Sequence, residues 1–96
     1  ATVGANNIVI FGDSAGGGLT LALAQRLREV GGPLPAALIL FSPWLDVGVS
    51  GIDQPDLEKK DPVLKLDFLR RAGRLWAREL AVDDPRVSPL FGDHSG

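Results

Sequence analysis

The chain has 96 residues and contains no cysteine, no methionine, no tyrosine and one histidine, His94. Without cysteine there is no disulfide framework and no thiolate metal site. One histidine leaves a histidine-based metal site equally short of ligands. Methionine is missing even at position 1, so the sequence reads as a piece of something longer. No apolar run reaches the roughly 20 residues of a membrane-spanning helix. No signal-peptide pattern opens the chain, which favours a cytoplasmic protein. Excess charge of one sign is also lacking. A formal charge of −2 exerts no net pull on nucleic acid or anionic lipid. Four arginines do fall between Arg70 and Arg78, where a solvated helix face accounts for them.

What is present is a globular composition, 45% apolar and 23% charged, in a length that allows one small domain at most. Ile8-Val9-Ile10-Phe11 and Ala36-Ala37-Leu38-Ile39-Leu40-Phe41 are continuous apolar runs. Continuity rather than alternation suits strands buried on both faces, as in a parallel sheet. Between them Leu19, Leu23, Leu27 and Val30 recur at helical spacing, and Gly31-Gly32-Pro33 stops the helix with a left-handed glycine cap. Strand, helix, strand is a βαβ unit. Gly48 to Lys60 reads as a surface loop. A second helix is expected from about Asp67 to Leu80, with Asp67 or Asp61 near its start. Phe68, Leu69, Ala72, Leu75, Trp76 and Leu80 form its apolar stripe. Gly73 marks close packing, and Asp83-Asp84-Pro85 ends the helix. Two strands and two helices cannot close a doubly covered sheet. The expected fold class is therefore α/β, as the middle part of a larger parallel-sheet domain.

The first strand runs straight into Gly12-Asp13-Ser14-Ala15-Gly16, a Gly-x-Ser-x-Gly sequence. Its spacing has a steric cause. A nucleophilic serine must stand exposed on a sharp, strained turn between strand and helix. Residues two before and two after it then approach each other closely enough that a Cβ would clash. The residue after the serine, Ala15, offers a backbone N–H to an oxyanion, and the helix N-terminus adds partial positive charge. Five residues alone are a weak signal; a buried strand before and a helix after make it a strong one. The plainer alternative is that Ser14 caps the helix, but a cap needs no glycine at both −2 and +2.

Three rival motifs fail on particular residues. Gly12 to Gly17 has P-loop spacing, but Gly18 occupies the lysine position. Gly16 and Gly18 begin a dinucleotide fingerprint, but Leu21 stands where its third glycine belongs. Chymotrypsin-like proteases place their histidine and aspartate before a Gly-Asp-Ser, and only thirteen residues precede Ser14.

With these residues in view, the chain resembles the hormone-sensitive-lipase-like carboxylesterases of the α/β-hydrolase superfamily. "GDSAGG" is similar to their nucleophile elbow, and "LILFSPWLD" to the next strand with its terminal segment. "DPVL", the Trp76 helix and "DDPRVSPLFGDHSG" resemble the excursion leading to the strand before the catalytic acid. The resemblance implies Ser14 as nucleophile and Ala15 as an oxyanion donor. It places the Gly-rich oxyanion loop and lid upstream, and the catalytic acid and histidine downstream, of this segment. His94 has the right order for a triad base, yet no strand precedes it to hold it beside Ser14. Asp13, Trp44 and Asp46, at strand ends, are candidates for a pocket wall. For Asp46 a turn-closing hydrogen bond serves as well, and Asp83, Asp84 and Ser88 read as turn residues.

The function expected is carboxylic ester hydrolysis through an acyl-enzyme, on a small-molecule ester substrate and with no metal or organic cofactor. Taken alone, the segment is expected to be inactive, its sheet edges covered by the rest of the parent chain or by an oligomer. The alternative is a non-catalytic, receptor-like binding protein on the same fold, since fold alone does not fix function. A structural remnant with no activity is a third.

Overall fold

A computed structural model describes residues 3–49, 59 and 65–94. A 3-10 turn, Ala5–Asn7, leads into strand β1, Val9–Asp13. Helix α1, Ala15–Glu29, follows after a single residue, and strand β2, Ala37–Phe41, returns parallel to β1. The register runs from Val9 opposite Ala37 to Asp13 opposite Phe41. Helix α2, Leu66–Ala77, and a 3-10 turn, Pro89–Phe91, complete the order. The strand–helix–strand unit is thus the one the apolar runs predict. Most of the expected Gly48 to Lys60 loop, and Asp61, lie outside the described residues.

The stop after α1 is built as its glycines require. Gly31 takes φ 71°, its N–H donates to the Arg28 carbonyl and the Gly32 N–H to the Leu27 carbonyl. These two bonds form a Schellman motif, which satisfies carbonyls the helix itself leaves open.

Side-chain placement adds three points. First, the strands are uncovered on one face, as the shortage of covering elements in the segment implies. Ile10, Gly12, Leu38 and Leu40 are half-buried on the side α1 packs, whereas Val9, Phe11, Ile39 and Phe41 are exposed. Phe11 is 71% exposed, with Phe41 as a ring partner, edge-on at 6.5 Å.

Second, α1 does not seat itself by the Leu19, Leu23, Leu27 and Val30 stripe as a whole: Leu27 is half-buried, and the other three are exposed. Gly17, Gly18 and Thr20 are buried, and Leu21, Ala24 and Leu27 are among its half-buried residues. Small residues let the helix axis come close to the sheet, and that proximity outweighs the leucine periodicity.

Third, α2 ends three residues before Leu80. Arg78 takes φ 57° and ψ −114°, and the Leu80 N–H closes back on the Ala77 carbonyl at 3.0 Å. That is a type II′ turn with arginine in the position glycine favours. Phe68 and Leu75 point outward, while Gly73 and Ala77 are buried. Gly73 packs as its place in the helix suggests: a Cβ there would run into the Val47 carbonyl. Val47, Ala77 and Val87 form the small buried core, with Trp44, Leu80 and Val82 around it.

Candidate active site

Ser14 is the single residue between β1 and α1. Its backbone has φ 53° and ψ −116°, a region that costs a non-glycine residue about 1–3 kcal/mol. Three hydrogen bonds hold it there. The Ser14 N–H donates to the Phe41 carbonyl at 3.0 Å, extending the parallel ladder by one step. Its carbonyl accepts from the Trp44 N–H at 2.8 Å and from the Gly18 N–H at 3.2 Å. The side chain makes no capping bond to the helix. Ser14 is exposed at the end of the strand pair, so the capping role that would explain an ordinary serine is not the one it plays.

The glycines around it divide into different duties. A Cβ on Gly12 would collide with the Gly16 carbonyl and lie 2.6 Å from Thr20 Oγ1. Thr20 is buried, and its hydroxyl donates to that same Gly16 carbonyl at 2.8 Å. A Cβ on Gly17 would sit 2.7 Å from the Pro43 Cβ, and one on Gly18 would strike the Trp44 carbonyl. Gly16, in contrast, has nothing within 4 Å of an added Cβ. The expected clash at both motif glycines therefore holds for Gly12 alone. Gly16 contributes its carbonyl to the tight approach, and Gly17 and Gly18 let α1 slide under the Pro43–Trp44 segment.

Ala15 opens α1, so its N–H belongs to the first turn, whose amides have no partner inside the helix. An anion at this point meets both that donor and the positive end of the helix dipole. Beside Ala15 lies an apolar hollow of about 260 Å³ bounded by Leu19, Trp44, Val47, Trp76 and Val87. The Trp44 indole N–H is satisfied by the Asp46 carbonyl at 2.9 Å, which leaves the ring itself as wall. Asp13 and Asp46 are not among its lining residues. Asp13 is exposed at the end of β1, and an Asp46 carboxylate oxygen accepts the Gly48 N–H at 3.1 Å, closing a turn.

His94 is far from this site. Its ring lies 3.2 Å from the Gln25 amide nitrogen. Gln25 sits eleven residues beyond Ser14, about 16 Å along the axis at 1.5 Å per residue. No proton passes between Ser14 and His94 over that distance. The clearest electrostatic pairing also lies elsewhere. Arg86 donates to both carboxylate oxygens of Asp84, and together with the Arg86 backbone N–H it lowers the Asp84 pKa to about 2.

Two contributors escape sequence reading. Ser88, expected as a turn residue, is fully buried and bonded to two segments at once. Gln25 donates to the Pro89 carbonyl at 3.2 Å and fastens the last turn to α1. Neither position carries a local pattern that would have marked it.

Comparison with known proteins places this geometry. Residues 1–96 match the family described as the alpha/beta hydrolase fold. A triacylglycerol lipase of Mycobacterium tuberculosis is 42% identical over 93 residues, 97% of this chain and 17% of that protein. An acetyl-hydrolase of Streptomyces hygroscopicus is 40% identical over 92 residues, 93% of this chain and 30% of that one. The crystal structure of an esterase from the bacterial hormone-sensitive lipase family superposes with a TM-score of 0.86 at 35% identity, covering 95% of this chain and 31% of the esterase. The chain thus spans less than a third of the length of these relatives. A parallel β1–β2 pair, a strained serine between strand and helix, and a match along its whole length make the chain a member of the α/β-hydrolase-fold family, of the hormone-sensitive-lipase-like type.

Proposed function

We propose that this chain is the central, nucleophile-bearing segment of a longer carboxylic ester hydrolase, with Ser14 as the nucleophile. The observation that carries the reading is Ser14 itself, strained at φ 53°, pinned through its backbone and without a capping role. Similar proteins are named triacylglycerol lipase, acetyl-hydrolase and esterase, names that support a carboxylic ester as the substrate class.

In the reaction the Ser14 Oγ attacks the ester carbonyl carbon, and its proton passes to a histidine base. The carbonyl oxygen becomes an oxyanion, for which the Ala15 N–H is one donor. The C–O bond to the alcohol then breaks, and the alcohol leaves with that proton. Water attacks the acyl-enzyme, releases the acid and restores Ser14. The base and its carboxylate partner come from beyond this segment, because His94 is held three helical turns away. The exposed sheet face of Val9, Phe11, Ile39 and Phe41 supports the same reading. It is the surface that further elements of a parent domain, or an oligomer, would cover.

The test is hydrolysis of a short-chain chromogenic ester by the 96-residue chain and by the full-length protein, each with its Ser14→Ala variant. The isolated chain should show background rates with or without Ser14. The full-length protein should turn over and lose about 10⁴-fold or more in kcat on substitution. Turnover by the 96-residue chain that depends on Ser14 would overturn the assignment of the base to another segment. A full-length protein that binds ester and never turns it over would favour the receptor-like reading.

A further inference from the structure

The proposed mechanism gives no task to the hydroxyl of Ser88, the most deeply buried polar side chain among the described residues. Ser88 has no solvent exposure. Its Oγ donates to the Val82 carbonyl and accepts the Val47 N–H at 2.9 Å. Its own N–H donates to the Asp84 carbonyl at 2.8 Å, and two residues on the Leu90 N–H donates to the Leu45 carbonyl at 3.0 Å. Segment 82–90 therefore grips residues 45–47 at two points.

Those residues continue directly from Trp44, whose N–H holds the Ser14 carbonyl and whose own carbonyl packs against Gly18. The position of the Trp44 amide is set by the end of β2 on one side and by the Ser88 grip on the other. We infer that Ser88 is a positioning residue for the Ser14 elbow, acting through the 44–47 segment. The inference rests on the reading of Ser14 as the nucleophile.

A hydroxyl suits the task because one atom serves as donor and acceptor together. Alanine at this position leaves the Val47 N–H and the Val82 carbonyl unpaired away from water, a state buried polar groups relieve by moving. Movement of the 44–47 segment loosens the bond on the Ser14 carbonyl. Small displacements of a reacting group cost rate out of proportion to their size, about 100-fold for 1 Å.

The experiment uses the full-length protein and a fluorophosphonate probe, which reacts covalently with an activated serine. Labelling is followed in time, so that the rate constant and the final labelled fraction are separate readouts. In Ser88→Ala the rate constant should fall on the order of tenfold, with a matching fall in kcat/KM. All folded molecules should still label. Ser88→Cys keeps nearly the same volume and a weak donor, so its rate should lie between the two. It carries the same criterion should the alanine variant yield no folded protein. An unchanged rate constant, with or without a smaller labelled fraction, would make Ser88 a purely structural group and overturn the inference. Ser14→Ala is run in parallel, and labelling that survives it would defeat the nucleophile assignment itself, whatever Ser88 does.

Discussion

Ser14 and Arg78 share almost the same backbone conformation, φ 53° and ψ −116° against φ 57° and ψ −114°. Both adjoin a helix, Ser14 before its first turn and Arg78 after its last. Their surroundings differ entirely. Ser14 is fixed by Gly18 of its own helix and also by Phe41 and Trp44, more than 25 residues further along the chain. Arg78 is held by its own helix and by one turn, with its N–H on the Arg74 carbonyl and the Leu80 N–H on the Ala77 carbonyl. Strain by itself therefore does not mark a site. What marks one is strain that distant parts of the chain cooperate to maintain. At Arg78 the same angles are the geometry of a tight turn that happens to lack its glycine.

The contrast breaks most sharply if the packing around Ser14 is disturbed without touching Ser14. Gly12→Ala drives a methyl into the Gly16 carbonyl and against Thr20 Oγ1. It should destabilise by about 3 kcal/mol, at the upper end for overpacking, and remove most esterase activity of the full-length protein. Gly16→Ala meets nothing within 4 Å and should stay within about 1 kcal/mol of the parent, since alanine is the better helix former. Thermal or denaturant unfolding of the two variants side by side measures the difference. Equal losses would mean that the elbow is not closed in the way described.

Arg78→Gly sharpens the comparison from the other side. Glycine adopts φ 57° freely, and the relief exceeds the entropy it costs the unfolded chain. A gain of about 1 kcal/mol in unfolding free energy is expected, with kcat unchanged. A loss of activity would show that the Arg78 turn belongs to the site after all.

How legible these features are from sequence follows the range of the forces behind them. β1, α1 and β2 were readable because apolar runs, helical spacing and the Gly31 cap act over a few neighbouring residues. The elbow was readable for the same reason at Gly12, whose clash with Gly16 and Thr20 is local, whereas Gly17 and Gly18 answer to the more distant Pro43 and Trp44. Which face of α1 is buried was not. Leu19 and Leu23 offer a regular stripe, but Gly17, Thr20 and Ala24 permit the closer approach, and only the neighbouring strand decides between them. The early end of α2 was equally hidden, because an arginine in a type II′ turn leaves no signal of its position. Ser88 lies at the far end of this scale. Its importance comes from Val47 and Val82, which no spacing rule connects to it.

The smallest effect expected concerns Asp84, which shapes the loop carrying Ser88. The Arg86 side chain, its strongest influence, and the Arg86 backbone N–H hold the carboxylate at about 2, below its ordinary 3.8. A folded-state pKa below the unfolded one adds stability that is present above the ordinary value and lost as pH falls towards 2. Asp84→Asn should therefore flatten the acid limb of the stability curve between about pH 4 and pH 2, lowering stability modestly above that range and leaving it close to the parent's at the acid end, the loss being small because the Arg86 side of the pair is open to solvent and screened. An acid limb of the same steepness in the variant would assign that titration to other carboxylates.

The most direct test of the central claim is to catch the acyl group on the chain. The full-length protein is mixed with a short-chain activated ester, quenched in acid within the first turnovers, and its peptides are mapped by mass spectrometry. The account predicts one acyl increment, located on Ser14 in the peptide that spans β1 and the start of α1. An acyl group on any other residue, or full turnover with none trapped on Ser14, would contradict it.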